Sequence, residues 1–308
     1  MIAWPTVLLV LLLVDPPLQC EGKSYKKKYQ FIHSKAYGNQ LSELAQELWN
    51  LDRKYLKFGR EYKLNLQGKL GGRVREDRAH NNLFASVRWS EIRRAPSVSE
   101  FIRLLDNYES AVGIPERITP EKVAEIHAFL NAVIDTPVMR RTQAFLVNHG
   151  LSSPNPTQFK KQLYSIWFEP YKRRRSQDSS AFEHVFVGEH RHDKLLGLHN
   201  WIQFALQEAQ HKIDYQGYFK TCGTPANLAT VSFKQSSGLV KPKTTFLVGT
   251  TPAFEMALYT ATFLISKDRP QRVHLGSCEV DVICHRLRSK KLGSCYLHPV
   301  TGGEKSSS

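Results

Sequence analysis

The chain has 308 residues, with 43 Lys and Arg against 28 Asp and Glu, a formal net charge of +15 and a hydrophobic fraction of 41%. That length accommodates one large core or two moderate ones, and the composition excludes a disordered or collagen-like chain. The basic surplus is spread over both halves and favours a polyanionic partner, whether nucleic acid, acidic glycan or anionic lipid.

Residues 1–20 read as a signal peptide. Ala3 to Val14 is almost wholly apolar and Asp15-Pro16-Pro17 breaks it, giving about half the ~20 residues that a membrane span needs. Cleavage and secretion are therefore expected, with no membrane anchor.

Residues 21–170 predict a helical lobe. Leu41, Leu44, Ala45, Leu48 and Trp49 follow the helical stripe i, i+3, i+4, i+7. Ser97 with Glu100 reads as a capping box ahead of Phe101, Leu104, Leu105 and Tyr108. Thr119-Pro120-Glu121 is a start signal for a helix that Pro137 ends. A further helix runs to Gly150, and Thr157 caps another that carries Phe159, Leu163, Ile166 and Trp167.

Residues 171–181, YKRRRSQDSSA, read as a basic polar linker. A β-rich lobe over 182–300 follows, and a polar tail over 301–308. Phe182–Val187, Thr230–Phe233, Thr244–Val248, Arg272–Leu275, Glu279–Cys284 and Ser294–Leu297 are short strand candidates bounded by turns. Helices are expected near 199–209 and, after Thr251-Pro252, over 253–265. The fold class is thus α+β, a helical N-terminal lobe followed by antiparallel sheets with a few helices. Once Cys20 is removed, Cys222, Cys278, Cys284 and Cys295 remain. They permit two disulfides in any of three connectivities.

Chemistry concentrates in one place. His184, His190, His192 and His199 are four of the chain's 12 histidines. His184 is expected within a strand and His199 where a helix begins. Two imidazoles that titrate near neutrality are what paired acid–base work requires. His190-Arg191-His192-Asp193, with Glu183 and Glu189 nearby, offers a competing metal reading, but a lone HxH is a weak signal.

FEHVFVGE, then GLHNWIQF, then a Lys-Pro before a strand, then GTTPAFEMALYT, resemble the EndoU family of uridylate-specific endoribonucleases. LSELAQELWNLD, YKLNLQGKL, FIRLLDNYE, TPEKVAEIHAFLNAVIDTPVM, FEPYKRR and LGSCYLHP extend the likeness in family order over about 25–300. The resemblance implies a catalytic trio of His184, His199 and Lys241, with Lys243 an ambiguous neighbour of Lys241. It implies substrate contacts at Thr245 and Tyr296, support from Glu183 and Glu189, and stimulation by Mn²⁺, for which no ligand set is visible. The implied substrate is single-stranded U-rich RNA and the implied enzyme a secreted monomer. Base, acid and cation suit attack by a 2′-OH on its neighbouring phosphodiester, leaving 2′,3′-cyclic phosphate and 5′-OH ends. His199 as base and His184 as acid is the favoured assignment. The main alternative is a secreted protein that binds RNA or glycan on this scaffold without cutting it.

Overall fold

The computed structural model describes residues 38–71, 76–108, 111–115, 118–172, 177–224, 226–266, 268–287 and 291–300. All lie in the unit Tyr37–Ser308 that the chain's contacts separate from Met1–Ala36. The expected signal peptide, the arginines of the basic run and the polar tail fall outside the described residues.

Helix α1 spans 38–52 and is followed by a small antiparallel pair, β1 (Tyr62–Leu64) and β2 (Phe84–Val87), inside the stretch expected to be helical. A short α2 (Trp89–Ile92) leads into α3 (Pro96–Leu104), α4 (Pro120–Ile134), α5 (Pro137–Asn148) and α6 (Pro156–Trp167). Each of these last four begins on Pro, whose fixed φ and missing N–H suit a first helical position. Thr119 caps α4 as expected, its hydroxyl accepting from Lys122 N at 3.2 Å. Two expected caps are corrected. Ser97 lies buried inside α3, which starts from Ala95 without a side-chain cap, and Asn155, not Thr157, accepts the free N–H groups of α6.

Within the expected linker, β3 (Tyr171–Lys172) pairs antiparallel with β4 (Gln177–Ser179). The expected strand at 182–187 is a single-turn π-helix, Glu183–Val187. Every residue from Phe182 to Val187 is buried, and a short, fully buried apolar run does not reveal its period. Helical spacing places Phe182 and Phe186 together against Phe101, with ring centroids 5.8 and 5.6 Å away. A hairpin of β5 (Glu189–Arg191) and β6 (Lys194–Leu196) follows, then α7 (Trp201–Ala209).

Two three-stranded antiparallel sheets complete the fold. The first is β7 (Ile213–Cys222), β8 (Leu228–Gln235) and β9 (Val240–Leu247). After α8 (Pro252–Ser266) comes the second, β10 (Gln271–Leu275), β11 (Cys278–Arg286) and β12 (Leu292–Pro299). Strand β7 is an element that the expected pattern lacked, although Ile213, Tyr215 and Gly217 alternate inward with polar neighbours. Disulfides join Cys222 to Cys278 and Cys284 to Cys295, one of the three permitted pairings.

One buried core runs from Leu41 to Leu297 and takes in both the helices and the sheets. Three buried carboxylates tie distant segments to it. Asp52 accepts from Thr251 N at 2.9 Å and from the Thr251 hydroxyl, fixing the start of α8 to the end of α1. Glu208 accepts from Leu83 N and Phe84 N at 2.6 and 2.9 Å, holding β2 to α7. Glu255 accepts from Asn200 Nδ2 at 3.1 Å and from the Thr250 hydroxyl at 3.0 Å. Burial raises these carboxyls to about 7, 7 and 8 respectively. No described helix is long and apolar enough to cross a membrane.

Candidate active site

Two histidines 15 residues apart meet because the backbone between them doubles back. Leu198 N donates to His184 O at 3.2 Å and His199 N to Val185 O at 2.8 Å, pinning the segment ahead of α7 onto the π-helix. Gly197 has φ +63°, and a Cβ there would stand 1.6 Å from the carbonyl oxygen of His184. Leu198 also has positive φ, +59°, an uncommon and strained conformation for a branched residue. Such strain persists only where its surroundings enforce it.

The start of α7 is equally determined. His199 precedes the helix instead of opening it. Asn200 caps, its Oδ1 accepting from Ile202 N and Gln203 N at 3.0 and 3.1 Å, and its Nδ2 reaches Glu255. Trp201 is fully buried, donates Nε1–H to Thr250 O at 2.7 Å and stacks on Phe84 with centroids 5.6 Å apart. The His-Asn-Trp run therefore supplies an outward imidazole, a cap and a core anchor in sequence.

His184, His199, Lys241, Thr245 and Tyr296 all line one cavity of about 750 Å³. Among its described lining residues are three lysines, three histidines and no carboxylate, an environment suited to phosphate. The fold brings these five expected positions together in one cavity.

The two imidazoles have opposite surroundings. His184 is 9% exposed and its Nδ1 lies 2.7 Å from Glu189 Oε2, while Glu189 Oε1 accepts from the Ser179 hydroxyl. A carboxylate at Nδ1 holds that nitrogen protonated and fixes the orientation of the ring. His199 Nδ1 lies 3.2 Å from both Thr245 O and the Thr244 hydroxyl. That hydroxyl donates to Leu198 O at 2.7 Å, which leaves it an acceptor for Nδ1–H and leaves Nε2 of His199 with its lone pair. Burial first, then the charges of Lys241 and His184, hold His199 well below the usual range, at about 3. It is neutral near pH 7.

Lys241 is 9% exposed, and its ammonium donates to Leu195 O at 3.1 Å. Desolvation lowers it to about 8, so it carries its charge near neutrality with little solvent to screen it. The neighbouring Lys243 instead lies over the ring of Phe219, 4.5 Å from the centroid, on the rim of the cavity. Geometry thus separates the two lysines.

Thr245 pairs with Thr230 across β9 and β8, the two hydroxyls 2.9 Å apart. Tyr296 stacks on His199 with centroids 5.4 Å apart and planes at 22°, and its hydroxyl is 3.3 Å from His285 Nε2. Glu189 sits directly behind His184. Glu183 is fully buried and is not among the described residues that line the cavity.

The resemblance implies manganese, and the carboxylates tested for it do not make a site. Glu189 is engaged by His184 and Ser179, and among the described residues no three of His, Cys, Asp or Glu gather as ligands.

Sequence reasoning did not single out Thr230, Thr244, Phe219, Lys220 or His298, all of which line the cavity. Strand pairing carries a signal for Thr230, which lies opposite Thr245, whereas alternation puts Thr244 out of phase with Thr245. Phe219 and Lys220 went with the missed β7.

Residues 40–297 match the family model described as Endoribonuclease XendoU. The chain is 42% identical over 273 residues to "Uridylate-specific endoribonuclease B" of Danio rerio, covering 85% of this chain and 96% of that one. It is 38% identical over 277 residues to "Poly(U)-specific endoribonuclease" of Xenopus tropicalis, covering 85% and 94%. The solved structure described as "The structure of XendoU: a splicing independent snoRNA processing endoribonuclease" superposes with TM-score 0.75 at 37% identity, covering 85% of this chain and 97% of that one.

Proposed function

The chain belongs to the XendoU (EndoU) family and is an endoribonuclease, and from that premise we propose that it cuts single-stranded RNA at uridine by transesterification. His199 Nε2 takes the proton of the uridine 2′-OH, whose oxygen attacks the adjacent phosphorus. The P–O5′ bond breaks, and His184 delivers its proton to the departing 5′-oxygen. The products are a 2′,3′-cyclic phosphate on uridine and a free 5′-OH. Lys241 balances the negative charge that builds on the phosphorane. The observation that carries this assignment is the asymmetry of the two imidazoles. A carboxylate sits behind His184, as suits an acid, whereas carbonyl and hydroxyl acceptors sit behind a neutral His199, as suits a base.

Uridine selection is assigned to Thr245 and Tyr296. The Thr245 hydroxyl, oriented by Thr230, can donate to O2 of uracil or accept from N3–H, and Tyr296 offers a face to the nucleoside. Two disulfides, which persist in oxidising compartments, support secretion.

The test is an oligonucleotide with a single uridine, its products weighed by mass spectrometry. Scission 3′ of that uridine with a cyclic phosphate is expected, and the same oligonucleotide with deoxyuridine stays intact. Thr245→Val lowers the preference for uridine over cytidine about tenfold, the effect of losing one or two base hydrogen bonds. Cleavage of DNA, or unchanged selectivity in the variant, contradicts the reading.

The electrostatic role of Lys241 has a pH signature. Its folded-state value of about 8 lies below that of a free lysine, so the ammonium loses its proton as pH rises through 8. Affinity for uridine 3′-phosphate is expected to fall between pH 7 and 9 for the wild type. Lys241→Arg keeps its charge across that interval and removes this part of the fall. Titration calorimetry at several pH values measures it, and a fall of equal size in both proteins refutes the role.

A further inference from the structure

Strand β9 serves the candidate site with residues whose spacing does not suit a regular strand. Lys241 and Thr244 are three positions apart, and strict alternation would send them to opposite faces. The ladder to β8 is irregular at this point. Lys241 lies opposite Phe233 and Thr244 opposite Val231, so three steps along β9 match two along β8, and the extra residue falls in the Pro242–Lys243 stretch. A bulge of this kind re-aims the side chains beyond it, and it is a place where a strand tolerates Pro, which has no N–H for the ladder. Phe233 and Val231 share one face of β8, and the residues opposite them share one face of β9.

Both side chains reach the segment that carries His199. The Lys241 ammonium donates to Leu195 O at 3.1 Å and the Thr244 hydroxyl to Leu198 O at 2.7 Å. Leu198 is the residue held at φ +59°, and both it and Thr244 are buried, so losing this bond would strand a carbonyl away from water. A hydroxyl has one proton, and Leu198 O takes it. The same oxygen stands 3.2 Å from His199 Nδ1 and can only accept there. Thr245 O is a second acceptor, also at 3.2 Å, but it belongs to the main chain and no side-chain substitution removes it. Two acceptors disfavour a lone pair on Nδ1 and place the proton of the neutral ring on that nitrogen.

We propose that Thr244 is a positioning residue of the reaction, which holds the ring of His199 in place with its proton on Nδ1, and that the bulge at Pro242–Lys243 puts it on the strand face that also presents Lys241. The proposal rests on the reading of His199 as the base. A base must meet the 2′-OH with an unprotonated nitrogen, and a proton fixed on Nδ1 leaves Nε2 able to accept. The group behind a catalytic histidine decides which nitrogen carries the proton, and removing that group costs rate even where the geometry survives. Here the group is a neutral hydroxyl. It sets tautomer and orientation without drawing the ring toward its charged form, in contrast to the Glu189 carboxylate behind His184.

Thr244→Val keeps the shape of the side chain and removes the hydroxyl. Its kcat on a single-uridine RNA is expected to fall about tenfold, the loss of one or two hydrogen bonds, with KM changed by less than about twofold. Thr244→Ser, which keeps the oxygen and its proton, is expected to restore most of the rate. If Thr244→Val does not fold, as circular dichroism reports, Thr244→Ala removes the same hydroxyl and takes its place in the test.

A double-mutant cycle separates positioning from a general structural role. Uridine 3′-(4-nitrophenyl phosphate) is an ester whose cleavage still needs the base. On it, Thr244→Val is expected to cost about tenfold in the wild-type background and less than about twofold in His199→Ala, because the histidine through which it acts is gone. An equal loss in both backgrounds, or full activity of Thr244→Val alone, overturns the proposal and leaves uridine cleavage standing. Failure of the wild type to cut either RNA or the ester refutes the proposed function instead.

Discussion

His199→Ala is expected to lower cleavage of a single-uridine RNA by about 10²–10⁴-fold, the usual contribution of one positioned acid–base group. The loss should appear in kcat, because the imidazole moves a proton and does not anchor the strand. Lys241, Lys220 and Lys243 all line the same cavity, and they keep their charges in the variant. Affinity for an uncleavable deoxyuridine oligonucleotide, read by fluorescence anisotropy, should therefore stay within about twofold. His199 also contributes a ring face to Tyr296 at 5.4 Å, so a small rise in KM for uridine is compatible with the account. Full activity in His199→Ala is not.

Gly197→Ala is expected to be the most damaging substitution of a residue that has no side chain to lose. The added carbon would stand 1.6 Å from His184 O and 2.7 Å from its carbonyl carbon. The left-handed backbone adds about 1–2 kcal/mol for any residue with a Cβ. Relief requires the segment 197–199 to lift from the π-helix, which breaks the Leu198–His184 and His199–Val185 backbone bonds. The protein should lose at least about 3 kcal/mol of stability and, where it folds, lose cleavage because the histidines separate. Gly71→Ala is the control, since nothing lies within 4 Å of a Cβ there. Thermal unfolding followed by circular dichroism compares the two, and matching midpoints would show that the close approach is not as described.

The site was legible in sequence to the extent that its residues sit in runs with local rules. His199 was legible at the start of a helix and within the run GLHNWIQF, whereas the cap that Asn200 makes to Ile202 and Gln203 emerged only in the structure. Lys241 before Pro242 was recoverable by likeness alone, since only burial and the ring of Phe219 distinguish it from Lys243. What sets the roles of the histidines was not legible. Glu189 meets His184 through the turn at Gly188, whose φ is +93°, and Thr244 meets His199 from 45 residues away. Neither contact has a sequence period. The π-helix was misread as a strand because burial on every side erased its pattern. The pairing of Tyr171 and Ser179 within the expected linker left no pattern in the sequence, since their burial comes from bonds to Gly293 and Glu189.

The division of labour between the histidines is tested most directly by changing the leaving group. Nitrophenolate departs without a proton, so a missing acid costs nothing with it, whereas a missing base still costs its full share. His184→Ala is expected to cleave uridine 3′-(4-nitrophenyl phosphate) at close to the wild-type rate while remaining about 10²–10⁴-fold impaired on RNA, and His199→Ala to be impaired on both. Rescue of His199→Ala by the nitrophenyl substrate, with His184→Ala left impaired, would reverse the assignment and contradict the account.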